Sequence, residues 1–202
     1  MTLTSTQGST IKQVYEHDKE IEICELFNLQ QITVNKGRKA DAIGDIGAVS
    51  IKNARSSSTQ VWLTTLNKFR SLFNIPNGAI DLFLGDKNKN RFNFNEIPSA
   101  LVDELIKWMN DNKKDIIHRA IHGEDVISLV IFRDLNNNKV YTSTPDQIDS
   151  IVTTASWRVG KRQGSLQLVT PSGDVIFHLQ REGKGRYPNN VLIHIHRKLF
   201  CQ

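Results

Sequence analysis

Asp41, Ser50 and Lys52 have the residue types and the spacing for chemistry on a phosphate ester. Alternation of apolar and polar residues over 46–53 predicts a strand that places Ser50 and Lys52 on one face, opposite branched apolar side chains. The stretch Gly44–Gly47 can form a tight turn. With that turn centred on its two middle residues, Asp41 lies opposite Ser50, with about 5 Å between their Cβ atoms. The hairpin therefore brings a carboxylate and an ammonium to one place.

Hydrolysis of a phosphodiester bond requires these groups. Carboxylate and carbonyl oxygens bind a hard cation such as Mg²⁺, which stabilises charge on the phosphate and acidifies water. A nearby ammonium can orient or deprotonate the attacking water and neutralise the transition state. Asp41 is the predicted metal ligand, assisted by the backbone carbonyl of Ile51, and Lys52 is the predicted catalytic cation.

The run Lys39-Ala-Asp41, followed by Ser50-Ile-Lys52, resembles the active-site hairpin of the PD-(D/E)XK nuclease superfamily. It is most similar to type II restriction endonucleases, many of which have a KxD…S(I/V)K form of the motif. The resemblance implies a restriction-endonuclease-like fold and Mg²⁺-dependent cleavage of DNA. It covers about a tenth of the chain.

The same resemblance implies further site residues. In this family a glutamine shortly after the lysine helps to organise the site, and Gln60 is the matching residue. A glutamate on the first helix often completes the metal site, which points to Glu20 or Glu16. The resulting predictions are a catalytic set of Asp41, Lys52, Ser50, Gln60 and Glu20, and metal ligands Asp41, Asp45, Glu20 and the Ile51 carbonyl.

The chain departs from the family pattern at Ser50, which stands where a second acidic residue is usual. Asp45, Glu20 or a water must then supply the missing oxygen. The separation between Asp41 and the lysine is also short. An alternative places the turn at Gly47-Ala48, so that Asp45 pairs with Ser50 and becomes the leading carboxylate.

The elements that must position these residues indicate an α/β fold with a mixed central sheet flanked by helices. Helices are predicted over 11–30 and over 60–73, and 98–121 is predicted as one long or two short helices. Strands are predicted over 79–84 and, after Gly123, over most of the chain. We expect a single domain over 1–202, with a catalytic core in 1–125 and a β-rich, DNA-binding portion in 126–202.

Charge is concentrated in the last quarter of the chain. From residue 151 onward eight basic and two acidic residues give +6, whereas the first 150 residues carry −1. Such a distribution favours a polyanionic partner. The predicted DNA contacts are Arg158, Lys161, Arg162, Gln163, Arg181, Lys184, Arg186, Arg197 and Lys198.

Other signals are weaker. His118 and His122 have a helical zinc spacing, but no third ligand is spaced to join them, and His194 and His196 share one face of a strand that we expect to lie at a sheet edge. No motif for a nucleotide cofactor is present. Two isolated cysteines, the lack of a signal peptide and the lack of a membrane span predict a cytoplasmic protein.

The predicted function is therefore that of a type II restriction endonuclease acting on double-stranded DNA. Cutting both strands of a symmetric site implies a two-fold homodimer, and the resemblance implies a companion methyltransferase. Two alternatives stay open. One is a structure-selective repair or junction nuclease with the same active site, and the other is a DNA-binding protein without catalysis.

Overall fold

The computed structural model describes residues 19–32, 38–73, 93–161, 164–181 and 190–201. The chain forms two compact units, one from 1–56 and 121–145 and the other from 57–120 and 146–202. Each unit contains a five-stranded sheet in its described part. No helix in these described ranges is both long enough and apolar enough to cross a membrane.

The first unit is built on a mixed sheet, as predicted. Its strands follow the order β1-β2-β3-β5-β6, in which β3 and β5 run parallel and the other neighbours antiparallel. A helix, α1, covers 19–27 in the described residues. The strands are β1 Gln30–Gln31, β2 Ala42–Gly44, β3 Gly47–Ala54, β5 Ile127–Asp134 and β6 Lys139–Ser143.

Helix α1 packs on this sheet through an apolar core. Because successive residues of a strand face opposite sides, Val49 and Ile51 are buried while Lys52 on the other face is partly exposed. The buried cluster comprises Ile23, Cys24, Ala42, Val49, Ile51 and Ile131. This packing fixes the face on which the polar residues of β3 lie.

The second unit has an antiparallel sheet in the order β4-β10-β9-β8-β7. Its strands are β4 Ser58–Thr65, β7 Ser156–Val159, β8 Leu166–Val169, β9 Val175–Arg181 and β10 Asn190–His196. The helices are α2 Leu66–Phe73, α3 Ser99–Asp111, α4 Lys113–Ile121 and α5 Pro145–Thr154. Short 3₁₀ helices lie at Phe94–Glu96 and Arg197–Cys201.

The predicted helix over 60–73 is wrong in its first half. Residues up to Thr65 form β4, and only Leu66–Phe73 is helical. Val61 and Leu63 are buried, whereas Gln60 and Trp62 are exposed. The residues of β4 other than Leu63 pair along β10, so strand pairing overrides the helical spacing of the aromatic residues. The helical prediction for 98–121 is confirmed as two short helices that meet at Asn112.

Two further differences concern the second half of the chain. Helix α5 interrupts the predicted run of strands, and β5 and β6, which fall in the predicted DNA-binding portion, join the sheet of β3 instead. The hairpins β5–β6 and β8–β9 are confirmed. The strand predicted over 79–84 and the first part of the predicted first helix, residues 11–18, lie outside the described residues.

Candidate active site

The β2–β3 hairpin has the register expected from the sequence. Ala42 pairs with Val49 and Gly44 with Gly47, so that the turn falls on residues 45 and 46 and Asp41 comes opposite Ser50. Gly47 closes the turn with φ of 97°, a conformation that suits glycine. The alternative turn at Gly47-Ala48 is therefore wrong.

One carboxylate oxygen of Asp41 accepts hydrogen bonds from three groups of β3. Its Oδ2 accepts hydrogen bonds from the backbone N–H of Ile51 at 2.7 Å, from Lys52 Nζ at 3.0 Å and from Ser50 Oγ at 3.3 Å. Ser50 is buried, with 1% of its surface exposed. The Ser50 hydroxyl thus helps to orient the Asp41 carboxylate.

The ammonium of Lys52 lies between two oxygens. Nζ is 3.0 Å from Asp41 Oδ2 and also donates to the backbone carbonyl of Ile51 at 3.2 Å. The side chains of Lys52 and Asp41 are 15% and 11% exposed, so the pair is largely shielded from solvent without being sealed. One cation therefore already bridges the carboxylate and the carbonyl that the sequence analysis selected as metal ligands.

Asp125, which the sequence analysis missed, anchors the chain just before Asp41. Its Oδ2 accepts hydrogen bonds from the backbone N–H groups of Lys39 at 2.6 Å and Ala40 at 3.1 Å. Lys39 itself is buried, and its side chain lies against Gly123, where an added Cβ would come 2.8 Å from its Cγ. No local pattern could have found Asp125, because it acts on residues 85 and 86 positions away.

Helix α1 is tied to the same sheet by Arg133 of β5. Its guanidinium donates to Glu22 Oε2 at 2.6 Å and to the backbone carbonyl of Lys19 at 3.2 Å. Hydrogen bonds from Lys19 and then from Arg133 lower the pKa of the Glu22 carboxyl. These bonds fix the part of α1 that carries the candidate ligand Glu20.

Glu20 lies at the β1 side of this unit, where Gln31 Nε2 donates to its carboxylate at 3.4 Å. Burial raises the pKa of the Cys24 thiol, and the negative charges of Glu20 and Asp41 raise it further. Both carboxylates therefore raise the pKa of the same buried thiol. Whether Glu20 binds a metal stays a prediction, and Glu16 lies outside the described residues.

The other candidates for the active site, Asp45 and Gln60, lie on different elements from this cluster. Asp45 is exposed at the hairpin tip, four residues from Asp41 or about 13 Å along an extended strand. It does not pair with Ser50 and cannot lead the metal site in the way the alternative register requires. Gln60 lies on β4 of the second unit, paired with His194, and its catalytic role stays a prediction.

The predicted DNA contacts fall in the second unit. Arg158 is exposed on β7, Lys161 follows that strand, and Lys198 Nζ pairs with Asp174 Oδ1 at 3.2 Å. Arg197 begins the last 3₁₀ helix, and its backbone N–H donates to the Ser57 carbonyl at 2.8 Å. Only the backbone of Arg181 is described, and the predictions outside the described residues are Arg162, Gln163, Lys184 and Arg186.

The structure places the histidines in surroundings other than those expected from the sequence. Nδ1 of His122 accepts a hydrogen bond from the Ile127 amide at 3.1 Å. The strand that carries His194 and His196 is not at an edge, because β10 lies between β4 and β9. Among the described residues no three His, Cys, Asp or Glu side chains are grouped closely enough to hold a metal ion.

No family model and no curated protein sequence matches the chain. Among solved structures, the chain is similar to restriction endonuclease MspI in complex with its cognate DNA. The TM-score is 0.52 at 9% sequence identity, over 89% of this chain and 78% of that one. The fold is therefore restriction-endonuclease-like.

Proposed function

We propose that the protein is a Mg²⁺-dependent endonuclease that hydrolyses phosphodiester bonds in double-stranded DNA at specific sequences, as a type II restriction enzyme does. The observation that carries this proposal is the cluster of Asp41, Lys52 and the Ile51 carbonyl on the β2–β3 hairpin. The restriction-endonuclease-like fold also supports it.

The donor set fits magnesium. Mg²⁺ usually takes one or two carboxylates and keeps several water molecules, and here one carboxylate and one carbonyl contact the same ammonium. When bound, the ion would stabilise charge on the scissile phosphate and increase the acidity of nearby water. Asp41 and the Ile51 carbonyl would hold it, with Glu20 as a further candidate.

The side chains of the site have separable tasks. The Ile51 amide and the Ser50 hydroxyl hold the Asp41 carboxylate in one orientation. Lys52 is paired with Asp41 in the protein alone. With a cation bound to Asp41, the ammonium of Lys52 would be available to a phosphate or a water. A positioned ammonium then offsets negative charge that develops on the phosphate.

The basic residues of the second unit would hold the DNA backbone, with Arg158, Lys161 and Lys198 as the described candidates. Cleavage of both strands at a symmetric site would need two copies of the chain related by a two-fold axis. The setting would be restriction of unmodified DNA in the cytoplasm, beside a methyltransferase that protects the host sites.

The direct test is cleavage of phage DNA with Mg²⁺ and with EDTA. We expect discrete bands only with the metal. Asp41→Asn and Lys52→Gln should each lower the cleavage rate by at least about 100-fold, the range for loss of a positioned charge or acid–base group. Thermal unfolding of each variant shows whether the loss follows from chemistry or from misfolding.

An exposed ion pair on α3 provides the matched control. Lys107 and Asp111 form a salt bridge with side chains 76% and 57% exposed, so Lys107→Gln and Asp111→Asn remove the same chemical groups elsewhere. Both should cut DNA like the unmodified protein. Cleavage of branched DNA alone would instead indicate a structure-selective nuclease, and DNA binding without cleavage would indicate a binding protein. Either result overturns the restriction proposal.

A further inference from the structure

The second sheet carries a continuous row of polar side chains, of which only Gln60 belongs to the active site predicted from the sequence. Pairing across neighbouring strands joins Gln60 on β4, His194 on β10, His178 on β9, Gln167 on β8 and Arg158 on β7. Directly paired residues lie on the same face of a sheet. One side chain from each strand therefore belongs to a single row across the whole sheet.

The opposite face of the sheet is apolar. Residues that alternate with the row are buried, as Ile193, Leu179 and Trp157 show with 0–2% of their surface exposed. On that side Asn110 of α3 accepts a hydrogen bond from the backbone N–H of Trp157 at 2.8 Å. The sheet thus turns one face to its helices and keeps the polar row on the other.

The histidines in the row hold one another in place. The rings of His178 and His194 stack with centroids 4.1 Å apart, and His178 Nδ1 lies 2.6 Å from His196 Nε2. Burial, and then the neighbouring imidazoles, lower the pKa of His194 and His196 to about 4. At neutral pH these two rings are therefore uncharged, and each has one donor and one acceptor nitrogen, of which Nε2 of His196 is already bonded to His178.

One end of the row opens into a basic cavity. A cavity of about 380 Å³ is lined by Arg158, Lys161, Ser165, Gln167, Gly173 and Val175. Two cations, a hydroxyl and an amide suit an anion with several oxygens, such as a phosphate. The adjacent acid, Asp174, is paired with Lys198.

The charge and the length of the row both fit duplex DNA. None of the five strands contains Asp or Glu, so a polyanion meets no like charge along the sheet. Five strands about 4.8 Å apart give a row of about 19 Å, which spans roughly six base pairs at 3.4 Å per pair. The amides and the imidazoles of the row have hydrogen-bonding groups that can reach base edges.

We propose that this polar row is the surface on which the second unit contacts duplex DNA, with the cavity of Arg158 and Lys161 binding a backbone phosphate and Gln60, His194, His178 and Gln167 bonding to bases. The assignment rests on the proposed function. Beyond that function, the assignment distinguishes residues that provide affinity for DNA through their charge from residues that select the DNA sequence.

The test measures binding of a labelled 30-base-pair duplex in EDTA, so that no cleavage occurs, over a range of salt concentrations. The double variant Arg158→Gln/Lys161→Gln should bind at least tenfold more weakly at low salt. Its plot of log K against log salt should be shallower by about 0.9 for each phosphate that the variant no longer neutralises. Gln60→Ala and Gln167→Ala should leave that slope unchanged and should alter which DNA sites are cut with Mg²⁺.

The control removes the same charge from the helices of the second unit. Lys107 and Lys114 are exposed on α3 and α4, and Lys107→Gln/Lys114→Gln should bind DNA like the unmodified protein. If Arg158→Gln/Lys161→Gln matches this control while the unmodified protein binds and cuts DNA, the proposed surface is wrong and the proposed function stands. If the unmodified protein neither binds the duplex in EDTA nor cuts DNA with Mg²⁺, both proposals are wrong. Unfolding midpoints confirm that each variant is folded.

Discussion

At the scale of single residues, Asp41 is the proposed metal ligand, and Asp125 anchors the chain immediately before it. Two backbone amides, from Lys39 and Ala40, donate to one oxygen of Asp125 immediately before Asp41. Hydrogen bonds to a charged group contribute about 1.5–3 kcal/mol each. We therefore expect Asp125 to act as a positioning residue for Asp41.

We expect Asp125→Ala to lower the free energy of unfolding by about 2–3 kcal/mol, because two amides lose a charged acceptor. It should also lower kcat by about 10- to 100-fold with little change in KM, since a small displacement of a catalytic group has this effect. Denaturant unfolding and steady-state cleavage measure the two changes.

The conservative variant separates positioning from simple destabilisation. Asp125→Asn keeps a carbonyl oxygen that can accept the same amides, so most of kcat should return. An Asp125→Ala enzyme that is destabilised but has normal kcat would show that Asp125 only stabilises the fold. Asp111→Ala, on the exposed face of α3, controls for the loss of an acid.

At the scale of elements, the tight turn between β2 and β3 sets the active-site register. Gly47 has φ of 97°, and an added Cβ would come 2.4 Å from Ser128 Oγ and 3.2 Å from Ser128 Cβ. Gly173 has a similar φ of 91°, but nothing lies within 4 Å of its added Cβ. Comparing substitutions at the two glycines therefore distinguishes the effect of backbone strain from that of steric contact.

We expect Gly173→Ala to lower the free energy of unfolding by about 1 kcal/mol, from backbone strain alone. Gly47→Ala should cost about 2–4 kcal/mol, because the contact with Ser128 adds to the strain. It should also slow cleavage, since the hairpin that aligns Asp41 with Lys52 must shift. Urea unfolding of both variants measures the difference, and equal losses would contradict the steric argument.

The paired strands β9 and β10 also predict a dependence of stability on pH. His194 and His196 have pKa values of about 4 in the folded protein, against an ordinary value of 6.5. Between these values the unfolded chain binds protons that the folded protein does not, so the free energy of unfolding should fall as pH drops from 6.5 to 4. Neighbours on this face are His178 on β9 and Gln60 on β4.

Urea midpoints at pH 7.5 and pH 5 test this prediction by comparison with His194→Gln/His196→Gln. The variant should lose less stability than the unmodified protein between the two pH values, because two groups that take up protons on unfolding are gone. Other titrating groups are common to both proteins and cancel in the comparison. An equal loss in the two proteins would show that these rings are not the source.

Local patterns were enough to predict the hairpin but not the elements joined over long distances. The turn at 45–46 and the burial of Val49 and Ile51 follow from alternation over a few residues. The start of β4 was misjudged because Trp62, Leu66, Phe69 and Phe73 have helical spacing, while strand pairing with β10 depends on residues about 130 positions away. Asp125 and Arg133 were missed for the same reason, since their partners are distant in sequence.

At the scale of the whole molecule, the two units are interleaved along the chain. The chain passes between them after residues 56, 120 and 145. Strand β3 of the candidate site takes its parallel neighbour β5 from the second segment of its own unit. The charge distribution shows that the last quarter of the sequence is basic, but it cannot reveal that β5 and β6, just before it, complete the sheet of the candidate site.

The described residues of one chain hold one cluster of Asp41 and Lys52, so under the proposed function one copy would cut one strand at a time. If the protein acts as a dimer, co-expression of the unmodified chain with a tenfold excess of Lys52→Gln should place most unmodified chains in mixed dimers. Mixed dimers each have one active and one inactive copy. These should convert supercoiled plasmid to nicked circles, whereas the unmodified dimer should produce linear DNA directly. Gel electrophoresis of the plasmid forms measures this, and a ratio of nicked to linear product that stays the same at every mixing ratio would contradict the dimer.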